Sequence, residues 1–361
     1  MVSLDDFEPL AQRLIAKPAY DYFAGGVEDE VTLGENRTAF QRIRLRPRVM
    51  VDVGQRDLTT TVLGHRVSMP LLLSPTGHQK MAHPDAELAT ARAAHAAGTI
   101  ATFGCAAHYG IEEITAVSPG PIWFQLYAYD SRPVTERIIR RAEDAGCQAL
   151  VITVDGSYAS RRWRNLRNQF ALPPGVEVRN LVGVGMRDDL LRDDLSGYPA
   201  FLSSLRTLNL TWADLAWIRA LTSLPILLKG ILTVDDALLA VEHGVDGIIV
   251  SNHGARQIDT TCATIEVLPA IAEAVGGRIE VLVDGGIRRG TDVLKALALG
   301  AKAAMIGRPY VWGLAVGGEA GVRQVLELLR TEIDNALAQL GRPSVASIDR
   351  SLVLLPGETP H

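Results

Sequence analysis

Cysteine is scarce in this chain. Three occur among 361 residues, Cys105, Cys147 and Cys262, and none stands in a CxxC pair. So sparse and odd a set excludes a disulfide framework and fits reduced thiols in a cytosolic protein. Uncharged apolar runs long enough to span a bilayer are missing as well, which argues against a membrane protein. No basic block interrupts a sequence of formal net charge -5, so nucleic acid is a poor candidate partner. The opening Met1-Val2-Ser3-Leu4-Asp5-Asp6-Phe7 is acidic and lacks the basic-then-apolar pattern of a secretory signal. The expected location is the cytoplasm.

What is present is an ordinary globular composition, 47% apolar and 21% charged, able to bury a large core. The length suits one large α/β barrel domain or two ordinary domains. Residues 1–62 read as a helical and hairpin cap. Apolar spacings predict a helix over Leu4–Leu14 and a second over Pro18–Phe23, stopped by Gly25-Gly26. The β-branched stretch Ile43–Leu63 predicts a hairpin or cap.

From residue 70 short runs rich in Val, Ile and Leu alternate with amphipathic stretches. The runs are 71–75, 100–105, 121–127, 149–155, 225–230, 247–252, 279–284 and 303–307. Helices are expected between them, among others at 85–97, 133–145, 234–243, 263–275 and 290–299. Strands that are apolar throughout are buried on both faces, as in a parallel sheet. About eight β-α units close a TIM barrel, the expected fold, with a doubly wound open sheet as the alternative. The barrel is placed at 63–340 and a C-terminal tail at 341–361. One gap, 156–224, shows no strand and reads as a long lid after strand four.

The ends of these strands are polar where apolar or turn residues would suffice. They carry Gln125 and Tyr127, Thr153 and Asp155, Lys229, Ser251-Asn252-His253, Asp284-Gly285-Gly286 and Gly307-Arg308. In a barrel such ends converge on one mouth, where active sites form. The last two suggest a phosphate. Gly285 and Gly286 before Arg288 let backbone amides approach an anion, a helix N-terminus follows, and Gly307-Arg308 adds a guanidinium. His253, with Arg256 three residues on and Asp155 from another strand end, reads as a base beside a carboxylate-binding arginine. A lone histidine would more often be a strand-capping residue. A metal is not expected: the cations Lys229, Arg162, Arg256, Arg288 and Arg308 argue for an anionic ligand. Lys229, in a buried apolar strand, needs a partner or loses its charge; a Schiff-base lysine and a cation set against a flavin both remain open.

Ser251-Asn252-His253-Gly254-Ala255-Arg256-Gln257 resembles the signature of the FMN-dependent 2-hydroxy-acid oxidases and dehydrogenases. The resemblance extends through Tyr20-Asp21-Tyr22, Pro75-Thr76-Gly77, Gln79-Lys80-Met81-Ala82-His83-Pro84, Phe124-Gln125-Leu126-Tyr127, Thr153-Val154-Asp155, Leu228-Lys229-Gly230, Asp284 to Gly290 and Gly307-Arg308-Pro309, nearly the whole chain. It implies FMN as cofactor, a small-molecule 2-hydroxy acid and oxygen as reactants, and a homotetramer. By the same resemblance His253 is the base and Asp155 stabilises its imidazolium. Arg256 and Arg162 bind the substrate carboxylate, with Tyr22 adding a hydrogen bond. Tyr127 bonds the oxygen that becomes the ketone, and Lys229 supports the reduced flavin. Thr76, Gly77, Gln125, Thr153 and Ser251 line the ring and ribityl chain, while Asp284, Gly286, Arg288, Gly307 and Arg308 hold the ribityl and phosphate end.

Three positions depart from the small-acid members of that family, each toward less volume. Gly77 replaces an alanine, Ala106 a tryptophan and Ala159 a larger residue. Gly104 also replaces a serine that contacts the flavin, and His78 stands where an apolar residue is usual, without an assignable role. The expected activity is an (S)-2-hydroxy-acid oxidase with a pocket for a bulky or aryl acid such as mandelate or 4-hydroxymandelate. A quinone- or protein-linked dehydrogenase and an oxidase of lactate or glycolate remain alternatives. The charged runs Arg187-Asp188-Asp189 and Arg192-Asp193-Asp194 favour a solvated lid over a membrane anchor.

Overall fold

A computed structural model describes residues 1–184 and 210–359. Three helices open the chain, α1 (Phe7–Leu14), α2 (Lys17–Ala24) and α3 (Val31–Arg42). Strand β1 (Arg44–Leu45) and a hairpin of β2 (Thr60–Val62) and β3 (His65–Val67) follow. Then come β4 (Leu71–Leu73), α4 (Ala86–Ala96), β5 (Ala101–Gly104), α5 (Ile111–Ala116), β6 (Ile122–Leu126), α6 (Arg132–Asp144), β7 (Ala149–Thr153), α7 (Trp163–Arg167) and α8 (Asp214–Leu221). The second half runs β8 (Ile226–Ile231), α9 (Val234–Glu242), β9 (Gly247–Val250), α10 (Thr264–Val275), β10 (Glu280–Asp284), α11 (Gly290–Ala298), β11 (Ala303–Ile306), α12 (Arg308–Gln339) and β12 (Val353–Leu354).

Strands β4 to β11 form one closed parallel barrel in sequence order, β11 closing on β4. The expected (β/α)8 fold is therefore the observed one, and all eight predicted strands are present. Seven are shorter than the apolar run suggested, and β8 keeps its length but is shifted by one residue. Tyr127, Asp155 and Ser251 lie just past their strands, while Lys229 stands inside β8 rather than at its end. The helices cap as their sequence dictates: Thr233 accepts from the Asp236 amide at the start of α9, and Gly276 takes the left-handed conformation after α10.

Period-two alternation explains how the barrel presents a site. Leu72, Trp123, Val151, Leu227, Ile249, Leu282 and Met305 point inward, all fully buried, in one cluster with Val62 and Val67 of the hairpin. That hairpin plugs the N-terminal end of the barrel. Two residues further along each strand, on the same face, stand Ser74, Gln125, Thr153, Lys229, Ser251, Asp284 and Gly307. The apolar plug below thus gives way to a polar layer above.

The termini depart from a simple cap and tail. β1 pairs antiparallel with β12, so residues 353–354 return to the N-terminal segment. α12 spans 32 residues but breaks at Gly317-Gly318, where the backbone is not helical. Residues 185–209, the part of the expected lid 156–224 that carries its charged runs, lie outside the described residues, as do residues 360–361. Among the described residues no helix is long and apolar enough to cross a membrane.

Candidate active site

The C-terminal ends of the barrel strands surround a cavity of about 790 Å³. Sixteen of the eighteen residues singled out from the sequence line it: Tyr22, Thr76, Gly77, Ala106, Gln125, Tyr127, Thr153, Arg162, Lys229, His253, Arg256, Asp284, Gly286, Arg288, Gly307 and Arg308. The other two stand directly behind. Asp155 accepts from His253, and Ser251 accepts from both Lys229 and the His253 amide.

His253 sits on a turn that few side chains tolerate. His253, Gly254 and Ala255 have φ of 57°, 64° and 60°, three consecutive left-handed residues. Such non-glycine conformations cost on the order of 1 kcal/mol or more each and persist where neighbours over-determine them. Here Asn252 does so. Its side-chain oxygen accepts from the Ala255 amide, and it exchanges two hydrogen bonds with Asn36 of α3, at 2.9 and 2.8 Å. Both asparagines are buried.

The turn aims the imidazole along a line of three groups. Nδ1 meets Asp155 Oδ1 at 2.8 Å, and Nε2 lies 3.5 Å from the Tyr127 hydroxyl. With Nδ1 as donor to a carboxylate, Nε2 keeps its lone pair facing the cavity. Burial pushes the His253 pKa down; Asp155 opposes that, Lys229 and Arg162 add to it, and the net value stays below the ordinary 6.5. Burial pushes the Asp155 carboxyl up, but the imidazole, its hydrogen bond and Lys229 outweigh this and hold it below the usual range. Asp155 can come so close because its neighbour on β8 is Gly230, where a Cβ would lie 2.7 Å from the Asp155 side chain.

Lys229 has partners: Ser251 Oγ at 2.8 Å and Asp284 at 3.3 Å. Arg162 donates to the Arg256 carbonyl and to Gln257 Oε1. Arg256 donates to the carbonyls of Tyr22 and Gly25 and lies 5.0 Å over the Tyr22 ring. Both guanidiniums are thereby fixed beside the histidine.

The Arg308 guanidinium, expected to grip an anion, spends Nε, Nη1 and Nη2 on the carbonyls of Phe23, Gly254 and Gly25. It ties the histidine turn to α2, and the backbone amides at the start of α12 remain as anion donors. Sequence alone could not show this, because carbonyl partners leave no pattern. Burial, then the charges of Arg256 and Arg288, push Arg308 down to about 9; burial, then Arg37, push Arg288 down to about 10. This concentration of positive charge around one cavity favours a bound anion. The glycines fit: Gly286 has φ of 88°, and a Cβ there would lie 1.8 Å from the Asn36 carbonyl oxygen. Asp284 Oδ1 is buried without a hydrogen-bond partner, an acceptor facing a cavity that a hydroxyl-bearing ligand satisfies. These residues fit FMN. Among the described residues no group of three or more His, Cys, Asp or Glu side chains is arranged to hold a metal ion.

Part of the cavity wall is built from small residues. Gly77 and Ala106 face each other, tied by the His78 amide donating to the Ala106 carbonyl. Gly104 has a local reason: Gln125 Oε1 lies 2.1 Å from where its Cβ would stand, so the glutamine side chain occupies that space. Ala159 lies exposed at the mouth. His78 is buried edge-on to Tyr22, and burial, then Arg256, push its pKa down to about 3, so it is neutral.

Sequence reasoning missed Ser74, Asn36 and Glu87. Ser74 donates to Asp284 and was findable, standing two residues beyond inward-facing Leu72. Glu87 accepts from the Gln79 and Tyr109 amides, joining the loops after β4 and β5; burial pushes it up to about 7. It lies inside a helix, where nothing in the sequence sets it apart.

A family profile described as FMN-dependent dehydrogenase matches residues 11–355. Glycolate oxidase 3 of Arabidopsis thaliana is 48% identical over 357 residues, covering 99% of this chain and 96% of the relative. Glycolate oxidase of Spinacia oleracea is 47% identical over 361 residues, covering 100% and 97%. A solved structure of mandelate oxidase with (S)-4-hydroxymandelic acid superposes with a TM-score of 0.92 at 42% identity, over 98% of each chain.

Proposed function

The chain belongs to the FMN-dependent dehydrogenase family and takes FMN as its cofactor, and from that premise we propose that it oxidises a bulky 2-hydroxy acid, an aryl one such as mandelate or 4-hydroxymandelate, to the 2-keto acid, with oxygen as the acceptor. The observation that carries the chemistry is the line Asp155–His253–Tyr127 opening onto a cavity beside two fixed guanidiniums. The observation that carries the size is the row Gly77, Ala106 and Ala159, none of which projects beyond a methyl group.

The substrate carboxylate sits against Arg162 and Arg256. Both are already held by protein carbonyls, so they need little rearrangement to receive it. Tyr22 completes that end, and Tyr127 donates to the oxygen that becomes the ketone. His253 Nε2 then takes a proton from the substrate at its 2-position or hydroxyl. Asp155 stabilises the resulting imidazolium through Nδ1. FMN, when bound, would supply the two-electron acceptor, with oxygen as the proposed final oxidant and hydrogen peroxide as its product. Lys229, fastened by Ser251 and Asp284, would offer a buried cation to the negative charge of the reduced flavin. Thr76, Gly77, Gln125 and Thr153 would hold the ring and ribityl chain, and Gly286, Arg288, Gly307 and the Arg308 amide would hold the phosphate.

A second reading, an oxidase of small acids, has its own support: the glycolate oxidases are 47–48% identical to this chain and the mandelate oxidase structure 42%. An anaerobic screen of glycolate, L-lactate and both mandelates, followed by admission of air, separates the readings. The proposal expects the flavin absorbance to bleach fastest with an aryl acid and to return quickly with formation of peroxide. Fastest bleaching by glycolate supports the second reading, and slow return in air points to a quinone- or protein-linked dehydrogenase.

A further inference from the structure

We infer that Val178 and Leu181 form the wall that reads the side chain of the substrate, and that Asn180 between them positions that wall; this rests on the reading that the cavity takes a bulky 2-hydroxy acid. Val178 and Leu181 are buried, 5% and 1% exposed, and both line the cavity. They come from the segment after α7, which contributes no barrel strand. Both are apolar, in a lining that is polar around the histidine and arginines, and unlike Met305 and Ile306 they come from outside the barrel strands. A carboxylate held by Arg162 and Arg256 leaves the rest of the acid to meet apolar surface.

That segment is fastened to the neighbouring wall. The fully buried Asn180 donates its amide N–H to the Gly104 carbonyl at 3.0 Å and accepts from the Ile111 amide at 2.7 Å. Gly104 ends β5 and lies two residues before Ala106, so one asparagine links both candidate sides of the side-chain pocket. Two further bonds hold the flanks. The Glu177 amide donates to His108 Nδ1, and Arg141 donates to the Arg179 carbonyl. A buried amide satisfied at both ends can be merely structural. What gives this one a role in specificity is that Val178 and Leu181, which flank it, line the cavity and that the carbonyl it holds belongs to the neighbouring wall that carries Ala106.

The test compares Leu181→Ala, Asn180→Ala and Asn180→Asp holoenzymes, checked for FMN content and fold, using anaerobic flavin reduction by glycolate, L-lactate and (S)-mandelate. Leu181→Ala is expected to lower kcat/KM for mandelate about ten-fold, mainly through KM, and to leave glycolate within about three-fold. Asn180→Ala should act in the same direction, and Asn180→Asp, which keeps the acceptor for Ile111 but sets a buried carboxylate oxygen against the Gly104 carbonyl, should be at least as damaging. A fall of the same size for all three acids, or no change with any, overturns the inference. If Asn180→Ala does not fold, Leu181→Ala decides. If the unmodified enzyme rejects mandelate, the bulky-substrate reading fails by itself; the inference then stands only if Leu181→Ala admits the larger acid, and failure to admit it overturns both.

Discussion

Adding one methyl group at Gly77 should turn this enzyme toward small acids. A Cβ built on Gly77 lies 2.8 Å from the Ala106 Cβ and 3.4 Å from the Ala106 carbonyl oxygen. Carbons in favourable contact stand about 3.5–4.0 Å apart, so the two walls must separate by roughly an ångström. They resist: the His78 amide holds the Ala106 carbonyl at 2.8 Å, and Glu87 spans the two loops through the Gln79 and Tyr109 amides. Overpacking of this kind costs about 1–3 kcal/mol. Because both residues border the cavity, the displacement that relieves the clash reshapes the space offered to a bulky substrate side chain. Gly77→Ala is therefore expected to lower kcat/KM for mandelate about 10- to 100-fold while glycolate changes less than about three-fold. Ala106→Gly in the same chain removes the facing methyl and should restore most of the loss. Stopped-flow flavin reduction with FMN content measured alongside reads both. An equal loss for the two acids, or an unchanged ratio, would refute the reasoning, as would failure of Ala106→Gly to compensate.

Three other outcomes follow from the site. Asp155→Asn keeps an oxygen for His253 Nδ1 but removes the charge that stabilises the imidazolium, so kcat should fall about 10²- to 10⁴-fold with FMN retained. The pH profile has a definite sign: catalysis needs neutral His253, whose pKa is held below 6.5, so kcat/KM should be lost as pH falls through a value under 6.5. Since Asp155 pushes that pKa up, Asp155→Asn should move the acid limb to still lower pH. Asn36→Ala leaves Asn252 short of two buried hydrogen bonds, which should cost about 1–3 kcal/mol in thermal unfolding and lower kcat more than it changes KM.

Much of the fold was legible because a parallel barrel strand announces itself. It is buried on both faces, so its apolar run is continuous, and its helix reads with a different period. All eight strands and the helices at 86–96, 132–144, 234–242, 264–275 and 290–298 stand where that rule puts them. The rule is blind to strand length, because the apolar run continues into the turn. It is blind also to the pairing of Arg44–Leu45 with Val353–Leu354, which joins two-residue strands more than 300 positions apart. The site was legible for a related reason: a polar residue at the end of a buried strand has no structural excuse. Residues that act through backbone partners lacked that contrast. Asn36 and Asn180 sit in helical segments where asparagine is unremarkable, and the carbonyls that hold Arg308 carry no sequence signal.

The central claim is that His253, oriented by Asp155 on a strained turn, takes the substrate proton beside a bound flavin. Anaerobic mixing of His253→Ala holoenzyme with an acid that bleaches the unmodified enzyme tests it most directly. A full complement of FMN, retained binding of the acid and essentially no bleaching are expected. Bleaching at the unmodified rate would contradict it.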